Sequence, residues 1–179
     1  IALTASRLGP ADAIACGFAD FQVRTADLDA LRAALRDGDV EGAIARVAGD
    51  GDGEAASVPE LRTLVDPIYA LPTAAAIVGA LEADRRPAAA KAAAAIRGAS
   101  PTAVEVTLQA IRRAAEIADL EECLAQELRT SCAFLDLPDF AEGIRAAVID
   151  KDREPRWSPA RLEEVDPGLV AEAFGLNLV

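Results

Sequence analysis

The sequence predicts a mainly α-helical chain with at most one or two short strands near its N-terminus. Three observations carry that prediction. Apolar residues make up 52% of the 179 residues and aromatics only 4%, and the apolar share is largely alanine, leucine, isoleucine and valine, which suits helical packing better than a sheet sandwich. These residues recur at i, i+3 and i+4 spacing along most of the chain. Ser, Thr and Asp stand before the periodic runs, and ten prolines and twelve glycines divide them into short elements.

The first element is a short alanine-rich helix opened by Gly9-Pro10 and ended by Gly17, followed by Phe18–Val23, which reads as one brief strand. Leu28, Leu31 and Leu35 then mark a helix stopped by Asp37-Gly38, and Val40, Ile44 and Val47 mark a second. Gly49 to Glu54 is a loop. Ser57-Val-Pro-Glu60 has capping-box spacing ahead of Leu61, Leu64, Val65 and Ile68. Pro72-Thr73 opens a helix carrying Ile77, Val78 and Leu81, and Arg86-Pro87 opens an alanine-rich one over 88–97 closed by Gly98. After Ser100-Pro101, the spacing of Val104, Leu108, Ile111 and Ala115 predicts one buried stripe. Leu120, Leu124, Leu128 and Cys132 continue that apolar face as far as Leu137-Pro138. Asp139-Phe-Ala-Glu142 repeats the capping pattern before Ile144 and Val148, residues 153–167 read as irregular, and Pro167 begins a last helix with Leu169, Val170 and Phe174.

Charge and composition exclude several functions. A net charge of -12, from 30 acids and 18 bases, repels a phosphate backbone, so nucleic acid is not an expected partner. No run of 18 apolar residues and no charged leader with an apolar stretch occurs, so the expectation is a cytoplasmic protein with no membrane partner. Cys16, Cys123 and Cys132 lack CxxC spacing and the chain has no histidine, which removes zinc and an activated cysteine; reduced thiols are expected. Asp50-Gly-Asp-Gly-Glu54 resembles the start of a calcium loop, but positions 6 and 12 hold Ala55 and Leu61, so no metal site follows. Ser131 beside Cys132 has no base to activate it, and Glu121, Glu122 and Glu127, or Asp150 and Asp152, read as solvated charges rather than an acid–base pair. Arg145, Lys151, Arg153 and Arg156 gather positive charge suited to a phosphate, although the interleaved Asp150, Asp152 and Glu154 favour local salt bridges. Trp157, between Pro155 and Pro159, reads as a packing anchor.

Several stretches form one larger pattern. Residues 139–159 hold Asp139-Phe140, Glu142-Gly143, Arg145-Ala146, Ile149-Asp-Lys-Asp152, Pro155 and Trp157, and upstream stand Ser100-Pro101-Thr102 and Val106-Thr107-Leu108. Leu3-Thr4, Arg7-Leu8, Asp12-Ala13, Gly17-Phe18-Ala19 and Val23 complete it, with Ala5 in place of a customary glycine. Together they resemble the C-terminal portion of the 3-hydroxyisobutyryl-CoA hydrolase branch of the enoyl-CoA hydratase/isomerase (crotonase) superfamily. The resemblance implies a crotonase-type fold in which 1–24 end the core, 25–98 form a helical insert and 99–179 form a C-terminal helical region. It also implies a thioester hydrolase of valine breakdown that takes acyl-CoA, needs no separate cofactor, and uses an upstream acidic pair with backbone amides for the oxyanion. The family's Pro-Glu and Phe-Pro-Asp-Val-Gly segments have no counterpart here, so no catalytic residue is assigned.

By the same resemblance the terminal helices cover the CoA side, and Lys151 and Arg145 are the candidate CoA contacts; a customary aromatic is replaced by Ala147 or Val148. The expected role is a lid, CoA-side wall and assembly surface for an N-terminal crotonase core, inactive alone. An opening isoleucine and the lack of methionine agree with that expectation. A chain of this kind should expose an apolar patch and self-associate, as a homo-oligomer or otherwise. The alternatives are a hydratase or isomerase of another activity, or an independent all-α interaction module.

Overall fold

The computed structural model describes residues 1–36, 38–49 and 56–175. The chain divides into two compact units, Ser6–Val65 and a larger one formed by Ile1–Ala5 with Asp66–Val179. The expected 50–54 loop and Asp37 lie outside the described residues.

In the smaller unit, α1 (Pro10–Ala15) starts on a proline whose missing N–H costs nothing at a helix N-terminus, and Gly17 ends the segment at φ 75°, a conformation that suits glycine. α2 (Leu28–Arg36) and α3 (Val40–Val47) follow, the latter capped by Asp39, which accepts from Gly42 N at 2.9 Å. The strand expected at Phe18–Val23 does not form. Only a single antiparallel bridge, Val23 to Ala48, is made, and Phe18 and Phe21 are exposed. Alternating apolar residues make a strand only when a second strand takes up their backbone groups, and no described segment does so here.

The capping expected of Ser57 is also redistributed. Its hydroxyl donates to Asp12 Oδ2 at 2.9 Å, and Asp12 Oδ1 accepts from Ser57 N at 2.6 Å and Val58 N at 2.9 Å, so an aspartate distant in sequence caps α4 (Val58–Tyr69). These bonds hold the Asp12 carboxyl below its ordinary pKa. The Glu60 half of the box lies outside the described side chains.

In the larger unit, alanine decides how helices meet. α5 (Ala74–Ala83), capped by Thr73, buries Ala74, Ile77, Val78 and Leu81 against α6 (Pro87–Gly98), which offers Ala89, Ala93 and Ile96. Small residues on α6 let the backbones approach, and each of Ile77, Val78 and Leu81, fully buried, contributes roughly 1.5–3 kcal/mol. Leu3, in a 3-10 turn, is buried beside α6 and α7 (Pro101–Ala114). Arg112 donates to the carbonyls of Tyr69, Leu71 and Pro72, satisfying the acceptors left open where α4 ends. α10 (Pro167–Gly175) closes a second cluster in which Val106, Val170, Ala173 and Phe174 meet Ala110, Ala133, Phe134 and Val165.

Two buried faces differ from the periodicity. On α7, Val104 and Leu108 are buried, but Ile111 is 49% exposed and Thr102 and Val106 go inside in its place. On α8 (Leu120–Leu135) the expected apolar stripe faces largely outward, with Leu120, Leu124 and Leu128 at 73%, 55% and 52% exposure and only Cys132 half-buried; Leu135, outside the expected stripe, is exposed as well. The face turned inward carries Gln126 and Thr130, whose polar atoms are satisfied: Gln126 Nε2 donates to Ala110 O at 3.1 Å and Thr130 Oγ1 to Gln126 O at 3.0 Å. α9 (Pro138–Ile144) then runs into a π-helical turn, Arg145–Ile149, and the tail beyond is irregular as expected, apart from one 3-10 turn at Leu162–Glu164.

Candidate functional site

The stretch over residues 139–158 is joined to residues 98–100 by two side-chain junctions. Asp139 sits inside the first turn of α9, where Leu137 takes the cap position, and it is buried. Its Oδ2 accepts from Ser100 Oγ at 2.5 Å and its Oδ1 from Ser158 N at 2.7 Å, so the capping pattern read from the sequence is used for tertiary linkage instead. Ser100 Oγ in turn accepts from Ala103 N at 3.2 Å and caps α7. The second junction is Trp157, whose Nε1 donates to Gly98 O at 3.0 Å. Its ring lies on Gly143, where an added Cβ would stand 3.4 Å from Cη2. Trp157 is thus tied to the Gly98 carbonyl and packed on Gly143, the packing anchor expected.

Arg145 closes the segment on itself. Its guanidinium offers five N–H donors, and each finds an acceptor within the chain. Nε and Nη2 bind Glu142 side-on at 2.9 and 2.8 Å, Nη1 reaches Asp150 Oδ2 and Asp152 Oδ2 at 2.6 Å each, and Nη2 also donates to Glu154 O at 3.0 Å. Glu142 Oε1 further accepts from Arg156 N at 2.6 Å. The side-on Arg145 pair, helped by that backbone bond, pulls the Glu142 carboxyl from 4.5 to about 2. Glu154 N and then Arg145 lower Asp152, and the same carboxylates raise Arg145 above its ordinary value. The π-helical turn, closed by Asp150 N donating to Arg145 O at 2.8 Å, is followed by Arg153 N donating to Ala146 O at 3.1 Å.

Of the two candidate contacts, Arg145 thus has its donors engaged internally, whereas Lys151 is exposed, held at φ 57°, and makes no ion pair among the described residues. Salt bridging expected of Asp150 and Asp152 is realised through Arg145, which leaves Lys151 and Arg153 at the surface without a salt bridge among the described residues, while Arg156 acts on Glu142 and Asp152 through its charge. Cys16, Cys123 and Cys132 are free thiols, and the described residues contain no cluster able to hold a metal ion. Sequence reading missed the roles of Gly98 and Ser100 as the seat of this segment. The signal was present as separate motifs, Ser100-Pro101-Thr102 and Asp139-Phe140, whose joining only the fold displays.

Comparison with known proteins identifies the family of the chain. The model of the family described as enoyl-CoA hydratase/isomerase matches residues 1–174. A crystal structure titled a carnitinyl-CoA dehydratase from Mycobacterium thermoresistibile is 40% identical with a TM-score of 0.88, covering 96% of this chain and 49% of that one. One titled an enoyl-CoA hydratase from Rhodobacter sphaeroides is 41% identical with a TM-score of 0.84 and the same coverages, 96% and 49%. The mitochondrial 3-hydroxyisobutyryl-CoA hydrolase of Gallus gallus is 39% identical over 110 residues, which are 62% of this chain and 28% of that protein. The chain spans about half the length of the two solved relatives.

Proposed function

The chain belongs to the enoyl-CoA hydratase/isomerase family, and from that premise we propose that it is the C-terminal helical part of a 3-hydroxyisobutyryl-CoA hydrolase of valine breakdown. In this reading it supplies the CoA-side wall and assembly surface, and the catalytic loop lies in a segment these residues do not include. The observation that carries it is that Ser100, Asp139, Glu142, Arg145 and Trp157, positions through which the sequence resembles the hydrolase branch, each make intrachain hydrogen bonds within the 139–158 segment or onto residues 98–100. Lys151 is the CoA phosphate contact and Arg145 the positioning residue that shapes the turn presenting it. A lysine with an unpaired ammonium suits that task; an arginine with no donor left does not.

The test is thioester hydrolysis followed by free-thiol release. The 179-residue chain alone is expected to leave 3-hydroxyisobutyryl-CoA intact, while a polypeptide that also carries the Pro-Glu and Phe-Pro-Asp-Val-Gly segments hydrolyses it. Turnover by the chain alone would overturn the reading. In the longer protein, Lys151→Glu is expected to raise KM with kcat little changed, the pattern of a lost binding contact.

A second reading, a hydratase or dehydratase of another acyl-CoA, is favoured by the two solved relatives, a carnitinyl-CoA dehydratase and an enoyl-CoA hydratase, at 40% and 41% identity. Product analysis separates them: hydrolysis frees the thiol, hydration leaves the thioester whole. Among the described residues no helix is long and apolar enough to cross a membrane. We place the protein in the cytoplasm; the name of the Gallus relative carries a mitochondrial designation, and fractionation decides between the two.

A further inference from the structure

The larger unit contains a cavity of about 630 Å³ walled by α5, α7, the Leu162–Glu164 turn and α10. None of the residues joined at 98–100 and 139–158 lines it. Its wall is largely apolar, with Leu162, Val165, Val170 and Phe174 prominent, and its volume falls in the range of small-molecule sites. The polar groups on the wall are unequal. Glu105 is satisfied, its Oε2 accepting from Ala74 N at 2.8 Å and its Oε1 from Gln109 Nε2 at 2.9 Å. Glu163 is balanced by Arg97 at 3.5 Å and Arg161 at 3.6 Å. Arg113 differs: its Cζ stands 4.6 Å from the centroid of the Phe174 ring, and no carboxylate or carbonyl among the described residues takes its N–H donors.

We propose that this cavity binds a fatty-acid-like monocarboxylate, its apolar body against Val165, Val170 and Phe174 and its carboxylate on the Arg113 guanidinium. The cation–π contact holds Arg113 at the wall without using its hydrogen-bonding edge, and a planar fork of donors matches a carboxylate better than any neutral head group. Both acidic side chains already have donors of their own, so neither competes for Arg113. The cavity shares no lining residue with the 139–158 segment on which the proposed CoA contact rests.

The experiment is calorimetric titration of the 179-residue chain with decanoate, beside 1-decanol as the uncharged analogue. Decanoate is expected to bind with a Kd below about 1 mM and at least about tenfold more tightly than decanol. Arg113→Gln should weaken decanoate about tenfold and leave decanol unchanged, because only charge-assisted bonds are lost. Ala171→Trp, at the exposed rim, should block both ligands; circular dichroism and the melting temperature confirm that each variant is folded. Lack of decanoate binding, equal binding of the alcohol, or binding untouched by Ala171→Trp would each overturn the assignment.

Discussion

The stretch from Asp139 to Ser158 and the helix before it, α8, lie side by side in the sequence and settle their side chains by opposite rules. In the first, six polar side chains are drawn into the chain, Asp139 to Ser100, Trp157 to Gly98, and Arg145 to Glu142, Asp150 and Asp152. In the second, leucines that could be buried face outward while Gln126 and Thr130 go inside. The difference shows that a buried hydrogen-bonded carboxylate can fix a segment where an apolar stripe, however regular, only offers a face.

The sharpest way to break this comparison is Asp139→Ala. It leaves the Ser100 hydroxyl and Ser158 N without their acceptor in a site where Asp139 is only 5% exposed. Hydrogen bonds to a charged group are worth about 1.5–3 kcal/mol each, so a loss of about 3 kcal/mol is expected in urea denaturation. A loss below about 1 kcal/mol would mean that the segment is held chiefly by Trp157, through its packing and its bond to Gly98 O.

Acid should loosen the same segment through Glu142. Its carboxyl is held at about 2 in the folded chain against an ordinary 4.5, a depressed value, so its contribution is fully present above about 4.5 and is lost as pH falls through about 2. Trp157 fluorescence is therefore expected to be flat from neutrality to about pH 4.5 and to change below it. Glu142→Gln should remove most of that acid transition.

How much of this was legible beforehand divides along physical lines. Helix starts set by local chemistry were readable: the Thr73, Ser100 and Asp119 side chains each accept from an N–H two or three residues on, and Pro87, Pro101 and Pro167 open helices as their fixed φ and missing donor predict. What depends on distant partners was not. Ser57 looked like a cap but binds Asp12, Asp139 looked like a cap but binds Ser100, and Phe18–Val23 looked like a strand but, among the described residues, makes one isolated bridge from Val23 to Ala48. The signature residues at 139–157 were visible as a resemblance, yet that Arg145 would be fully engaged and Lys151 left free is a matter of geometry that no spacing encodes.

A smaller effect tests whether every buried polar group belongs to such a network. Thr102 is 2% exposed and its Oγ1 has no hydrogen-bond partner among the described residues, two residues beyond the satisfied Ser100. Replacing an unpaired buried hydroxyl by a methyl of the same shape removes a desolvation cost without opening a cavity. Thr102→Val is therefore expected to be neutral or to stabilise by about 1 kcal/mol, read from the urea midpoint. Destabilisation would place an unseen acceptor or water at that hydroxyl.

The smallest expected effect concerns α8. Were Leu124 and Leu128 in a core, truncating each would cost about 2–5 kcal/mol; at 55% and 52% exposure they have little burial to lose. The double variant Leu124→Ser and Leu128→Ser is expected to shift stability by no more than about 0.5 kcal/mol per site, after allowance for serine's weaker helix propensity. It should at the same time lower apolar-dye binding and shift sedimentation toward the monomer, because these leucines, with Leu120 and Leu135, form an exposed row on one face of α8. A large stability loss would mean that the row is already covered within the chain. An unchanged sedimentation pattern would assign self-association to another surface and leave α8 as an amphipathic helix whose polar side happens to be the buried one.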